Sequence, residues 1–218
     1  MRHTRRGSRP AGVADWTVVI PVKGTPSAKS RLGASSELSL AIALDSVEAA
    51  VGAVGAARVI VVTSPAIAGD FDALGVRVVV DEGAGLNAAV MQGVAAADTH
   101  AVAALLGDVP AMRAEELIAA LELAEHHPLA FVPDADNDGT VLVTALRSGS
   151  HRPAFGTHSR AAHLAAGYVE LGIPLDSGLR RDVDTAEQLA ALSSRVGWRT
   201  ARVHETRGVV LPDARDRR

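Results

Sequence analysis

Cysteine is absent from the 218-residue chain. This excludes disulfides, thiolate metal sites and cysteine nucleophiles, and it is compatible with a reducing cytoplasm. Aromatic residues amount to only 3%, so Ala, Val and Leu must fill the core. No apolar run reaches the roughly 18 residues that a membrane-spanning helix needs. Positive charge is not in excess either: 22 basic and 25 acidic residues give a formal net charge of −3. No general polyanion-binding surface follows, so nucleic acid is not an expected partner. The one basic cluster, MRHTRRGSRP at residues 1–10, lacks the apolar stretch of a signal peptide. Residues 1–14 therefore read as a disordered basic tail.

What is present is a globular composition, 48% hydrophobic and 22% charged, of a length suited to one domain. That domain is expected over residues 15–208, with a charged, frayed tail over 209–218. Trp16 to Val22 (WTVVIPV) is an unbroken apolar run and predicts a first buried strand. Leu40, Leu44, Val47 and Val51 form a helical stripe, with Ser35 or Ser36 as its cap. Arg58 to Val62 and Val76 to Val80 read as strands, Leu86 to Ala97 as a helix rich in small residues, and Ala101 to Leu106 as a fourth strand. Glu115 to His126 predicts a helix with Leu117, Ile118 and Leu121 inward. His126 and His127 fall at its end, where the dipole suits them. Leu129 to Val132 and Thr140 to Ala145 read as strands across a turn-rich PDADNDG linker. Helices are expected over Ser159 to Leu171 and Thr185 to Val196, and a last strand over Trp198 to Val203. Continuous apolar strands separated by helices imply an α/β fold with a mainly parallel sheet covered on both faces. Ligands of such sheets bind beyond the carboxyl ends of the strands.

The first strand runs into Pro21-Val22-Lys23-Gly24-Thr25-Pro26-Ser27-Ala28-Lys29-Ser30-Arg31-Leu32. Lys23, Lys29 and Arg31 put three cations after a buried strand, as a triphosphate site requires; a solvated basic loop reads the same way. The spacing is neither a P-loop nor G-x-G-x-x-G. The fourth strand ends in Gly107-Asp108-Val109-Pro110, which presents Asp108 as a hard oxygen ligand for Mg²⁺ or as a plain turn former. Arg180-Arg181-Asp182-Val183-Asp184-Thr185 follows later. In an extended segment Asp182 and Asp184 point the same way and can share an ion, although Asp184 could equally cap the next helix. Asn87 could bond a ribose or base, or cap its own helix. Thr140, Gly156 and Ser159 lie at loop-to-element junctions suited to a substrate phosphate, with Ser159 equally plausible as a plain N-cap. None of the eight histidines has metal-ligand spacing such as H-E-x-x-H. A basic loop, an acidic turn and a later D-x-D together suit metal-assisted attack on a nucleoside triphosphate.

The pattern I-P-V-K-x-x-x-x-A-K-S-R-L (Ile20 to Leu32), G-L-N (85–87), G-D-V-P (107–110), D-G-T (138–140), F-G-x-x-S (155–159) and D-V-D-T (182–185) resembles the CofC/FbiD family. These are phosphoenolpyruvate or 2-phospho-L-lactate guanylyltransferases of deazaflavin coenzyme (coenzyme F-420) biosynthesis. The resemblance covers about Trp16 to Leu192. It implies a single-domain, three-layer αβα fold like that of nucleotide-diphospho-sugar transferases, with GTP as donor and Mg²⁺ at Asp108, Asp182 and Asp184. It implies nucleotide contacts from Pro21, Lys23, Lys29, Arg31, Asn87 and Asp108, and acceptor contacts from Thr140, Gly156 and Ser159. Catalysis would fall to Lys23, Lys29, Arg31 and Asp108. The implied product passes, in the cytoplasm, to the downstream coenzyme F-420 transferase. A composition rich in Ala and Arg leans toward the bacterial acceptor, phosphoenolpyruvate. Oligomeric state is open, a homodimer being one option. Two other functions compete. A molybdopterin or sugar-phosphate nucleotidyltransferase would carry an L-A-A-G-x-G-x-R-M loop, which is missing. A non-catalytic nucleotide-binding module would be favoured by loss of one of the three aspartates, and all are present.

Overall fold

Seven strands and six α-helices account for most of the computed structural model, which describes residues 15–23, 36–192 and 195–208. In chain order these are β1 (Trp16–Val22), α1 (Ser36–Val54), β2 (Val59–Thr63), β3 (Arg77–Val80), α2 (Leu86–Ala95), β4 (Ala101–Leu105), α3 (Ala114–Ala124), β5 (Leu129–Pro133), β6 (Thr140–Ala145), α4 (Ser159–Ala165), β7 (Val169–Glu170), α5 (Ala186–Leu192) and α6 (Trp198–Gly208). They build one sheet in the order β3-β2-β1-β4-β6-β5-β7. β1 pairs in parallel with β2 and β4, β2 with β3, and β5 with β7. Only β6 runs against its neighbours, β4 and β5.

Every residue of β1, β2, β4 and β6 is buried. That is why these strands read as continuous apolar runs and not as alternating ones. One apolar layer joins Val18, Ile20, Val61, Ala103 and Leu105 to Val47 of α1 and Leu117 of α3. The opposite layer joins Val19, Val62, Ala104 and Phe131 to Val90 of α2 and to Phe155 and Tyr168. The three-layer expectation therefore holds, in a single domain. Within the described residues no helix is long and apolar enough to cross a membrane.

Several local expectations are corrected. The helix foreseen over Ser159 to Leu171 stops at Ala165. Gly167 takes φ +89°, its N–H bonds to Leu164 O (3.0 Å), and Tyr168 N–H bonds to His163 O (3.0 Å). This left-handed cap ends the helix and releases Val169–Glu170 to form β7. The strand foreseen over Trp198 to Val203 is the first part of α6. The buried Asp45 carboxylate on α1 accepts from the N–H groups of Arg199 (3.3 Å) and Thr200 (2.8 Å). It thereby satisfies donors that a helix start leaves open. Ile118, expected inside, is 37% exposed, whereas Leu117 and Leu121 are buried. α5 is shorter than foreseen, ending at Leu192. Of the candidate caps for α1, Ser35 lies outside the described residues, as do the tails at 1–14 and 209–218.

Candidate active site

The carboxyl ends of β1 and β4 are adjacent in the sheet, and a cleft opens beyond them. Pro21, Val22, Lys23, Ser39, Ala43, Leu86, Leu106, Gly107, Asp108 and Asp184 line it. The exit of β1 is fixed by Thr63 Oγ1, which donates to Val22 O (2.7 Å), and Lys23 emerges exposed beside it. The exit of β4 is fixed from α1. Ser46 Oγ donates to Ile42 O (2.9 Å) and accepts from Val109 N–H (3.2 Å). The turn bearing Asp108 is thus tied to a helix instead of hanging in solvent.

Asp108 is in turn tied to the D-x-D segment, because Val183 N–H donates to Asp108 O (2.9 Å). Val183 is buried, and the carboxylates on either side of it separate. Asp184 faces the cleft with Lys23 and Asp108. Asp182 lines a second cleft with Asp136, Arg181 and Gln188. Burial, followed by the neighbouring charges of Asp108, Asp134 and Asp184, pushes the Asp182 carboxyl up to about 7. The sequence picture of Asp182 and Asp184 pointing the same way is therefore too simple, since 182–184 is not a regular strand. Among the described residues no three His, Asp or Glu groups stand where one ion could bind them all at once. Nor does Asp184 cap α5. Thr185 does so: its Oγ1 accepts from Gln188 N–H (3.2 Å), and Gln188 Oε1 accepts from the N–H groups of Asp184 (2.8 Å) and Thr185 (2.9 Å). This reciprocal box leaves the Asp184 carboxylate to the cleft.

On the other side of β4, the ladder to β6 ends with Leu106 N–H bonded to Val141 O (2.9 Å). That register carries Thr140 alongside the Gly107-Asp108 turn. The loop before Thr140 is organised by Asp134, whose carboxylate accepts from the N–H groups of Asp138 (3.0 Å) and Gly139 (2.8 Å). A Cβ at Gly139 would lie 2.3 Å from Asp134 Oδ2, so a larger residue would displace the carboxylate that organises the loop. Arg180 clamps the same loop, donating to Asp134 O (2.7 Å) and Asn137 Oδ1 (2.6 Å).

Asn87 bridges the two sides. Its Oδ1 accepts from Phe155 N–H (2.9 Å) and its Nδ2 donates to Phe155 O (3.1 Å). It does not cap α2, whose N-cap is Gly85. The amide instead fastens the segment leading to Gly156 and Ser159 onto the helix that follows β3. Ser159 is not an N-cap either. His158 holds that position, and Ser159 is the buried first residue of α4. Its N–H closes a turn onto Gly156 O (3.2 Å).

A model of the guanylyl transferase family described as CofC-like matches residues 16–192. The chain belongs to this family. Across its length it is 46% identical, over 199 residues, to a Streptomyces avermitilis protein named phosphoenolpyruvate guanylyltransferase, covering 85% of this chain and 92% of that one. It is 45% identical, over 203 residues, to one of the same name from Geodermatophilus obscurus, covering 87% and 94%. Among solved structures, a nucleotidyl transferase from Methanothermobacter thermautotroptrophicus superposes with a TM-score of 0.60 at 20% identity, covering 88% and 98%. This last likeness bears on the fold alone.

Of the residues singled out in the sequence of this CofC-like chain, Pro21, Lys23, Asp108 and Asp184 meet in one cleft. Asp182 adjoins them electrostatically, and Thr140 lies alongside. Lys29 and Arg31 lie outside the described residues. Sequence reading missed the supporting cast: Asp134, Arg180, and above all His163, one turn along α4 from Ser159, whose ring contacts Thr140.

Proposed function

We propose that this CofC-like chain transfers GMP from GTP to phosphoenolpyruvate, releasing pyrophosphate and forming enolpyruvoyl-2-diphospho-5'-guanosine, an activated intermediate of coenzyme F-420 assembly. The observation that carries the reading is the cleft that Lys23, Asp108 and Asp184 line together. The names of the related proteins favour phosphoenolpyruvate over 2-phospho-L-lactate as acceptor.

Asp108 and Asp184, which line one cleft, would hold Mg²⁺, with Asp182 lending its charge from alongside. The donor set suits that ion: carboxylate oxygens are its preferred ligands, and Asp182 is held near pH 7 by burial among like charges, a crowding that a cation relieves. When bound, Mg²⁺ supplies charge neutralisation and orientation to the triphosphate. Lys23 stands to neutralise charge that develops as pyrophosphate departs, together with Lys29 and Arg31 from the same segment. Thr140, Gly156 and Ser159 hold the acceptor so that its phosphate oxygen approaches the α-phosphorus in line. That oxygen is already anionic, so no side chain need act as a general base, and catalysis rests on positioning and charge. The activated product then goes to the downstream transferase in the cytoplasm.

Asp108→Asn is the test. The substitution keeps the main-chain carbonyl that binds Val183, so the protein should still fold, while pyrophosphate release falls by about 100-fold or more. Full activity in a folded Asp108→Asn protein would remove the assignment.

A further inference from the structure

His163 is fully buried, yet it makes polar contacts through both ring nitrogens. Ala154 N–H donates to Nε2 (2.9 Å), so Nε2 must present its lone pair. A neutral imidazole carries its one proton on the other nitrogen, and that nitrogen, Nδ1, lies 3.0 Å from Thr140 Oγ1. The ring is held among three aromatic rings: Phe155 and Tyr168, each with centroids 5.3 Å away, and Phe131 at 5.9 Å. Burial keeps it neutral, lowering its pKa to about 4.

A hydroxyl facing a protonated nitrogen cannot donate to it. We propose that His163 is a positioning residue: its Nδ1–H turns the buried Thr140 hydroxyl around, so that the hydroxyl proton is offered to an anionic oxygen of the phosphorylated acid. The consequence is chemical selectivity. The hydroxyl proton, not engaged by the ring, is free for a ligand that brings a lone pair, as a carboxylate or phosphate oxygen does. The inference rests on the reading of Thr140 as an acceptor ligand.

Two measurements test it on the full-length protein. Ring ¹⁵N–¹H correlation spectra at neutral pH should show His163 protonated on Nδ1, and protonation on Nε2 would overturn the proposal. Steady-state kinetics on Thr140→Val, His163→Phe and the double variant should show each single change raising the KM for phosphoenolpyruvate about tenfold. The KM for GTP should stay unchanged, and the double variant should be no worse than the worse single. Multiplicative losses in the double variant would contradict the proposal, because His163 would then act independently of the hydroxyl. His163→Asn, whose amide can still donate toward Thr140, should recover most of the lost affinity, and no recovery counts against the idea. This variant and the spectra keep the test sound if His163→Phe folds poorly. The failures are separable. An unchanged acceptor KM in Thr140→Val sinks the acceptor-site reading itself, whereas a raised KM with the proton on Nε2 sinks only the role of His163.

Discussion

Replacing Asn87 by Asp changes one NH₂ group to an oxygen and nothing else in shape, which makes it a sharp probe of how the acceptor segment is held. The carboxylate can still accept from Phe155 N–H, as Oδ1 does now at 2.9 Å. The other oxygen, however, would face Phe155 O across the 3.1 Å now spanned by an N–H donor. One hydrogen bond is lost and a partly buried carbonyl is left against a negative charge. Losing the bond costs about 1 kcal/mol, and stranding its acceptor costs roughly as much again, so about 2 kcal/mol is expected in all. For a domain of this size that lowers Tm by about 4–8 °C. If the segment detaches locally instead, the cost appears as a higher KM for phosphoenolpyruvate. The pH dependence has a definite sign. Only the protonated acid can donate to Phe155 O, so folding raises the pKa of the new carboxyl. The deficit of Asn87→Asp should therefore shrink as pH falls toward that raised value and persist above it. Thermal melts and acceptor kinetics across pH 5 to 8 would show this. A variant that melts like the parent at pH 8 with an unchanged acceptor KM would refute the claim that Asn87 fastens the Phe155 segment.

Gly139→Ala places a methyl 2.3 Å from Asp134 Oδ2; it should break the Asp134 turn, cost roughly 1–3 kcal/mol and lower kcat/KM with phosphoenolpyruvate more than it changes the KM for GTP. Asp45→Ala removes the carboxylate that receives the Arg199 and Thr200 N–H groups and should cost about 1–2 kcal/mol in urea unfolding. His163 and His151 are both buried with lowered pKa values, chiefly through desolvation. Their folded forms resist a proton that the unfolded chain accepts, so stability should be retained above about pH 6.5 and lost as pH falls from there toward 4. Flat stability across that window, measured by urea unfolding in steps of pH, would contradict their neutral burial.

The sheet was legible because its strands are buried on both faces. β1 coincides with the WTVVIPV run, and β6 begins at Thr140 as the turn-rich linker implied. α6 was misread because its start is set by Asp45, a residue 154 positions away in the chain, which no local pattern can show. The end of α4 was readable in principle, since Gly167 stands where a left-handed cap belongs. At the site, Asp108 could be found because it follows a strand end and Asp184 because it belongs to a D-x-D, and the T-x-x-Q box of Thr185 and Gln188 could have separated capping from function. Asn87 could not be resolved, because its partner, Phe155, is 68 residues on. His163 stayed hidden for a different reason: a neutral imidazole that bonds a hydroxyl and an amide has no characteristic spacing.

The most direct test of the whole account is the identity of the product. GTP and Mg²⁺ are incubated with equal concentrations of phosphoenolpyruvate, 2-phospho-L-lactate and 3-phosphoglycerate, and the products are weighed by mass spectrometry. The account predicts enolpyruvoyl-2-diphospho-5'-guanosine as the dominant species, formed with stoichiometric pyrophosphate and all but lost with Asp108→Asn. A dominant guanosine diphosphate adduct of another acid, or the same yield from the Asp108→Asn protein, would contradict it.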